Sequence, residues 1–562
     1  MSFFDLNPSQ NFTFLAPQFW GFLVLVMVGL WASERKLRIR NAFLFFVSLL
    51  FYWKTNGWFV GILVFSTLVD WGIGWQIFRS QGTQRKLWLA GSIVANLGLL
   101  GFFKYAYFFA DALNPMLGTQ WNPHSALGQW SNANLGTTFR VDQILLPIGI
   151  SFYTFQTLSY SIDVYRRQIT PCRSPLDFGF FVSFFPQLVA GPIVRAKDFI
   201  PQLHQPYSLS RPEFGMALFW ILNGLIKKIW LADYLAVNLV DRVFMNPGSF
   251  SGFENVLGLY AYSLQVYADF SGYTDMAIGI ALLMGFRLPL NFRSPYKARS
   301  VGEFWQRWHI SLSSWLKDYL YIPMGGNRTA STFTYVSLSA FTAFLFLMLP
   351  SAGVRLIAMG CILLVGACLV AFPGLRKQFN TNINLMMTML LGGLWHGASW
   401  NFVLWGALNG LGLIFYKAWR RISPWEVKNR WWKHAIGMIL TFHFISATRI
   451  WFRSGSQVKW NDLSQPHDLW AEWFTANTML MQIINRFWAS PFMEIILGNR
   501  NVVTIMLVGM AVHLLPEQLK ARYRKGFAEA PLMLMFGMTL GAIGVAYLGM
   551  SSGLQPFIYF QF

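Results

Sequence analysis

The segment LGGLWHGASWNFVLWGALNG, residues 391–410, carries one ionisable side chain, His396, among glycines, tryptophans and aliphatic residues. An imidazole at membrane depth is costly, so its presence asks for a role. A histidine so placed can take a proton from a hydroxyl as its oxygen attacks a carbonyl, a step that needs a base beside a weak acid. A neutral imidazole is the usual choice, and burial favours the neutral form. The developing oxyanion then needs donors, which the indoles of Trp395 and Trp400, the amide of Asn401 and the backbone around the glycines can supply. The alternative is a buried imidazole hydrogen-bonded between helices.

A second histidine, His309, lies in FRLPLNFRSPYKARSVGEFWQRWHISLSSWLKDYLYIPMGGNR, residues 286–328, a stretch that breaks the run of apolar segments and reads as a cytoplasmic or re-entrant element. At about 100° per residue, a helix over 301–320 gathers Phe304, Trp305, Trp308, His309, Leu312, Trp315, Leu316 and Tyr319 on one face. Glu303, Arg307, Ser314, Lys317 and Asp318 fall opposite. An amphipathic helix lying in the membrane interface has the same pattern, but gains nothing from a histidine on its apolar face. PMGGNR, with Asn327, reads as a tight turn whose backbone can approach a ligand. His443 also falls within an apolar stretch and reads as structural.

These residues sit in a chain of 562 residues that is 55% hydrophobic, 18% aromatic and only 12% charged, about half the charge of an ordinary soluble domain. That composition predicts an all-α polytopic membrane protein without a separate soluble domain. Apolar stretches long enough to cross hydrocarbon, or nearly so, lie at 17–33, 41–54, 57–78, 87–110, 143–163, 176–194, 214–238, 256–285, 333–349, 354–372, 383–398, 401–418, 435–452, 501–516 and 530–550. The net charge of +21 follows topology and calls for no nucleic-acid partner: ERKLRIR (34–40), RSQGTQRK (79–86), YRRQITPCR (165–173), WRRISPWEVKNRWWKH (419–434) and EQLKARYRKG (517–526) are all rich in Lys and Arg and are assigned to one side. The positive-inside rule makes that side cytoplasmic, the 111–142 connection extracytoplasmic and both termini extracytoplasmic. The first apolar stretch follows a polar, uncharged start and reads as a retained anchor.

Cys172, Cys361 and Cys368 are too few and scattered for a disulfide framework or a metal site, and no metal or nucleotide motif is present. Asp269 and Asp275, with Ser271 and Tyr273, build a polar patch into the 256–285 span, which should face the protein interior. Asp163 closes another span and reads as a partner for Arg166 or Arg167.

Taken together, FWQRWHISLSSWLKDYLYIPMGGNR and LGGLWHGASWNFVLWGALNG resemble the paired signatures of the membrane-bound O-acyltransferase (MBOAT) family. The resemblance extends to LPIGISFYTFQTLSYSIDVYRR (146–167), FFPQLVAGPI (184–193), YADFSGYTDMAIGIALLMGFR (267–287) and FIYFQF at the C-terminus. The subgroup most resembled is the bacterial membrane subunit that O-acetylates alginate, cellulose and other exopolysaccharides. That resemblance implies a helical fold around a tunnel, with re-entrant and interfacial helices, in the bacterial inner membrane. It implies His396 and His309 as the active-site pair and acetyl-CoA, or a carrier thioester, as donor substrate, with no permanently bound cofactor. Extracytoplasmic acetyltransferase partner proteins and, indirectly, a polysaccharide acceptor complete the expected set.

Near the tunnel mouth so implied, Arg293, Lys297, Arg299, Arg307, Lys317 and Arg328 are candidates for the CoA phosphates, with Trp305, Trp308 and Asn327 beside them. Asp269, Ser271, Tyr273, Asp275, Trp395, Trp400 and Asn401 are candidate tunnel-lining residues. The cations are equally explained by positive-inside bias. One departure from the family pattern is the extra apolar hairpin expected at 331–382. Two other activities fit parts of the pattern: D-alanyl transfer to teichoic acid, and a transporter or flippase, although no internal repeat supports the latter.

Overall fold

The computed structural model describes residues 12–123, 146–188, 191–348, 371–423, 430–456 and 471–550, with isolated positions at 132, 353, 356–357, 359–360 and 555. Among these residues every regular element is helical. FIYFQF, Cys361, Cys368, most of the 354–372 stretch and much of the 111–142 connection lie outside them.

The longest helix, Gly252–Leu283, opens with a capping box in which Ser251 and Glu254 satisfy each other's backbone N–H groups. It runs through the interior, buried along most of its length, because Ser263, Asp269, Ser271, Thr274 and Asp275 would be costly against lipid. Helix Arg211–Ile226 crosses it at backbone contact: a Cβ on Gly224 would lie 2.4 Å from the Gly272 carbonyl oxygen. Small residues at such crossings replace the missing hydrophobic drive with close packing. Helix Ile150–Tyr165 is likewise interior, buried at nearly every position. The stretches expected to span at 256–285 and 143–163 are therefore core elements with little or no lipid-facing surface.

Leu37–Arg79, Gly82–Ala110, Arg211–Met245, Trp431–Gly455 and Leu532–Gly549 are long and apolar enough to cross a membrane. Leu532, Met533, Phe536 and Tyr547 point outward on the last of them, as lipid-facing residues should.

One expected span needs correction, and two further features were not expected. The 176–194 stretch is not one span: Pro175–Ser183 and Phe185–Leu188 are separate buried helices, parted where Phe184 turns to ψ 108° ahead of Pro186. Arg500–Leu514 bends by 85° from Phe492–Gly498. Helix Ala471–Arg486, absent from the expected spans, packs against Gly252–Leu283. Of the 331–382 interval, Thr332–Met348 is helical, and Pro373 opens the helix that ends at His396.

Candidate active site

His396 is the last residue of helix Pro373–His396; after a three-residue turn Trp400 begins helix Trp400–Ile422, and the two pack as a hairpin. The glycines of this region allow the approach. A Cβ on Gly393 would meet the Phe402 carbonyl oxygen at 2.3 Å, and one on Gly406 the Met389 carbonyl oxygen at 2.4 Å. Ser399 caps the second helix by accepting the Asn401 backbone N–H at 3.1 Å. The His396 ring, in a residue only 4% exposed, lies edge-on to Trp395, Trp405 and Phe452, with centroid separations of 5.0, 5.2 and 5.1 Å.

The single helix expected over 301–320 is broken at His309. Helix Val301–Arg307 stops, Trp308 is extended, His309 takes the left-handed conformation at φ 44°, and Ile310–Leu316 starts afresh. Backbone pairing with an upstream loop accounts for the break: Arg293 N–H donates to the Arg307 carbonyl and Ile310 N–H to the Asn291 carbonyl, each at 2.9 Å. Left-handed backbone is strained for a non-glycine residue and clusters at functional sites. The apolar set is buried or half-buried against the rest of the protein, so the segment packs as a wedge within the fold.

Asn291, which the sequence reading passed over, organises this wedge. Its Oδ1 accepts from the Ser311 backbone N–H at 3.1 Å and the Ser311 hydroxyl at 2.9 Å, and lies 3.2 Å from His309 Nδ1. An acceptor there selects the tautomer with hydrogen on Nδ1 and the lone pair on Nε2. His309, at 0% exposure, packs edge-on against Phe270 at 4.6 Å and near-parallel to Phe152 at 6.5 Å. Trp315 stacks on Phe155 at 3.9 Å, and Phe155 on Trp395 at 5.3 Å, so one aromatic column joins the wedge to the His396 helix.

Between wedge and hairpin lies an apolar cavity of about 190 Å³. Trp305, Leu312, Ser313, Leu316, Lys317 and Tyr321 form one wall; the hairpin forms the other, with His396 in it. Lys317 is exposed and His396 buried, so the cavity links surface to interior. Its volume falls below the roughly 300–1,000 Å³ of pockets that enclose drug-sized ligands.

The other candidate cations are placed differently. Arg307 is held by Glu303 at 2.7 Å and donates to the Arg293 carbonyl at 3.1 Å. Arg299 pairs with the same carboxylate at 3.1 Å. Lys297 donates to the Leu515 carbonyl at 3.0 Å and lies 4.0 Å from Glu517. Burial works against the Glu517 carboxylate, but the Ser294 hydroxyl, Lys520 and Lys297 together hold it below the usual carboxylate range. Arg293 and Arg328 are exposed, and Asn327 accepts from the Tyr321 hydroxyl at 2.8 Å. Trp308 packs under the Arg449 guanidinium at 4.8 Å.

The polar patch of Gly252–Leu283 is absorbed by two lysines the sequence reading overlooked. Asp275 pairs with Lys227 at 2.7 Å and accepts from Asn223 at the same distance. Lys228 bridges Asp269 and Asp233, each at 2.6 Å. Both lysines lie in a π-helical stretch, Lys227–Asp233. Tyr273 stands 5.7 Å from the Lys228 ammonium, and Ser271 is buried beside it on the same helix. None of these residues forms the cavity wall at His396. Neither do Trp395, Trp400 and Asn401; Trp400 packs on Phe108 at 5.5 Å. The Asn401 amide is buried with no hydrogen-bond partner among the described residues. Asp163 accepts from the Tyr319 hydroxyl at 2.8 Å. Among the described residues no group of three or more His, Cys, Asp or Glu could hold a metal ion.

A polytopic helical protein with one buried histidine in the wall of an apolar cavity and a second packed against the neighbouring Trp395 has the makings of a membrane acyltransferase, and the comparisons agree. Residues 172–347 match the model of the MBOAT, membrane-bound O-acyltransferase family. The chain is 38% identical to the probable alginate O-acetylase AlgI of Azotobacter vinelandii over 410 residues, 72% of this chain and 68% of that one. It is 36% identical to the probable alginate O-acetylase AlgI of Pseudomonas aeruginosa over 441 residues, 77% and 71% of the two chains. Against the peptidoglycan O-acetyltransferase of Helicobacter pylori it is 31% identical over 475 residues, 80% and 76%. The chain belongs to the MBOAT family: it is a multi-pass membrane O-acyltransferase.

Proposed function

We propose that the chain transfers an acetyl group from cytoplasmic acetyl-CoA to a hydroxyl destined for an extracytoplasmic polysaccharide, with His396 as the general base. The observation that carries this reading is the narrow cavity running from Lys317 at the surface to buried His396. The thioester arm of the donor enters it while the nucleotide stays outside, with Lys317 and Arg328 at hand for the phosphates. His396 takes the proton of the acceptor hydroxyl as its oxygen attacks the thioester carbonyl. The tetrahedral oxyanion needs a hydrogen-bond donor within reach of the thioester carbonyl. Collapse breaks the C–S bond, and the imidazolium returns its proton to the leaving thiolate. His309, held by Asn291, orients the thioester.

The acceptor polymer on this reading is a polysaccharide such as alginate or cellulose, reached directly or through extracytoplasmic acetyltransferase partner proteins. The relatives named for alginate and peptidoglycan O-acetylation support a glycan of that kind. The host membrane is the bacterial inner membrane, with both termini outside.

Sealed membrane vesicles of defined orientation test the sidedness. Acetyl-CoA labelled in its acetyl group should be consumed by inside-out vesicles and ignored by right-side-out ones. Consumption by right-side-out vesicles alone would put the donor site on the opposite face, and consumption of a D-alanyl carrier thioester alone would move the chain to teichoic acid chemistry.

A further inference from the structure

The end of the His396 helix is finished in an unusual way. A helix leaves its last four carbonyls without intrahelical partners, and a left-handed glycine commonly satisfies some of them. Here Gly397 is extended, at φ −168°, and supplies no cap. Side chains from the other end of the sequence do so instead. Tyr105 donates its hydroxyl to the Leu394 carbonyl at 2.6 Å. Lys104 Nζ donates to the Trp395 carbonyl at 2.5 Å and to the His396 carbonyl at 3.0 Å.

Both donors belong to the π-helical turn Gly101–Tyr105, inserted between helices Gly82–Leu100 and Ala106–Leu117. In a regular α-helix adjacent side chains diverge by about 100°. The wider π turn, an irregularity often found at functional sites, lets two adjacent residues reach one neighbour. The Lys104 ammonium sits at the negative end of the helix dipole and 5.7 Å from the Trp395 ring centre, so charge, hydrogen bonds and ring contact act together. One turn on, Phe108 packs against Trp400, the first residue after the His396 turn. Residues 104–108 therefore grip the hairpin tip on both sides.

We propose that Lys104 is a positioning residue for acyl transfer: with Tyr105 it fixes the last turn of the His396 helix and so aims the imidazole at the cavity. The proposal rests on His396 being the base. Without the ammonium, two carbonyls lose their donor in an apolar setting, the last turn loosens and the imidazole moves. A displacement near 1 Å costs on the order of 100-fold in rate.

The test uses the full-length protein, purified in detergent, with release of CoA from acetyl-CoA as readout. Lys104→Met, close in shape but without charge or donor, should lower kcat about 100-fold, with KM for acetyl-CoA held within about twofold. Lys104→Arg, which keeps charge and donors, should regain most of the lost rate. Lys104→Met combined with His396→Gln should be no slower than His396→Gln alone, because a positioner has nothing left to position. Wild-type kcat in Lys104→Met, an equal loss in Lys104→Arg, or multiplying losses in the double variant would each overturn the proposal. If Lys104→Met does not fold, Lys104→Gln makes the same comparison; failure of both to fold assigns Lys104 to folding alone and overturns it too. An active His396→Gln would sink the base assignment, a separate result from an active Lys104→Met beside an inactive His396→Gln.

Discussion

Trp395 meets His309 edge-on at a centroid separation of 6.1 Å, and the residue after it in the chain is His396. One indole thus spaces two histidines that are 87 positions apart in sequence, 309 and 396. The wedge and the hairpin have to keep their register for that contact to persist, and Asn291 and Phe155 hold it from either side.

Asn291 should matter as much as the histidine it holds. Asn291→Leu strips the acceptor from His309 Nδ1 and from the Ser311 backbone N–H, and an orphaned buried donor costs about 1–3 kcal/mol. We expect Asn291→Leu to lower kcat about as far as His309→Ala, with the double variant no worse than either. Independent, multiplying losses would separate Asn291 from His309.

Among the cations, Lys317 should dominate donor binding, because it alone of the candidates is part of the cavity wall. Lys317→Glu should raise KM for acetyl-CoA about tenfold or more while changing kcat less, as phosphate contacts bind ground and transition states alike. Arg307→Glu, which breaks a pair with Glu303, should act first on thermal stability. A larger KM effect at Arg307 than at Lys317 would move the phosphate site.

The Lys228 bridge makes a prediction about folding. Lys228 is 1% exposed and bridges two carboxylates; removing one member of such a buried set costs roughly 3–5 kcal/mol. Lys228→Met should lower the unfolding temperature sharply, and adding Asp233→Asn and Asp269→Asn should recover much of the loss. An unchanged unfolding temperature in Lys228→Met would show that the bridge contributes little.

How far the sequence carries differs from residue to residue. Leu532–Met550 is readable because it is uniformly apolar and faces outward. His396 is readable because nothing else in its segment ionises. The break at His309 is not: Phe304, Trp308, Leu312 and Trp315 keep helical spacing straight through it, and its cause is backbone pairing with Asn291 and Arg293, more than a dozen residues upstream. Lys227 and Lys228 escape notice for a similar reason, since their carboxylate partners Asp275 and Asp269 lie on another helix. Lys104 and Tyr105 are still more remote, and neither periodicity nor motif connects them to the carbonyls they cap. Local composition reveals depth and orientation, whereas partners fixed by tertiary packing stay hidden.

The central claim is that His396 is the base, and the most direct measurement is the rate of acetyl-CoA turnover by purified His396→Gln. Glutamine keeps much of the volume and some hydrogen bonding but cannot take a proton at neutral pH. The account predicts a folded protein with an unfolding temperature near wild type and turnover reduced about 100-fold or more, the scale for losing a positioned base. Turnover close to wild type in that folded variant would contradict it.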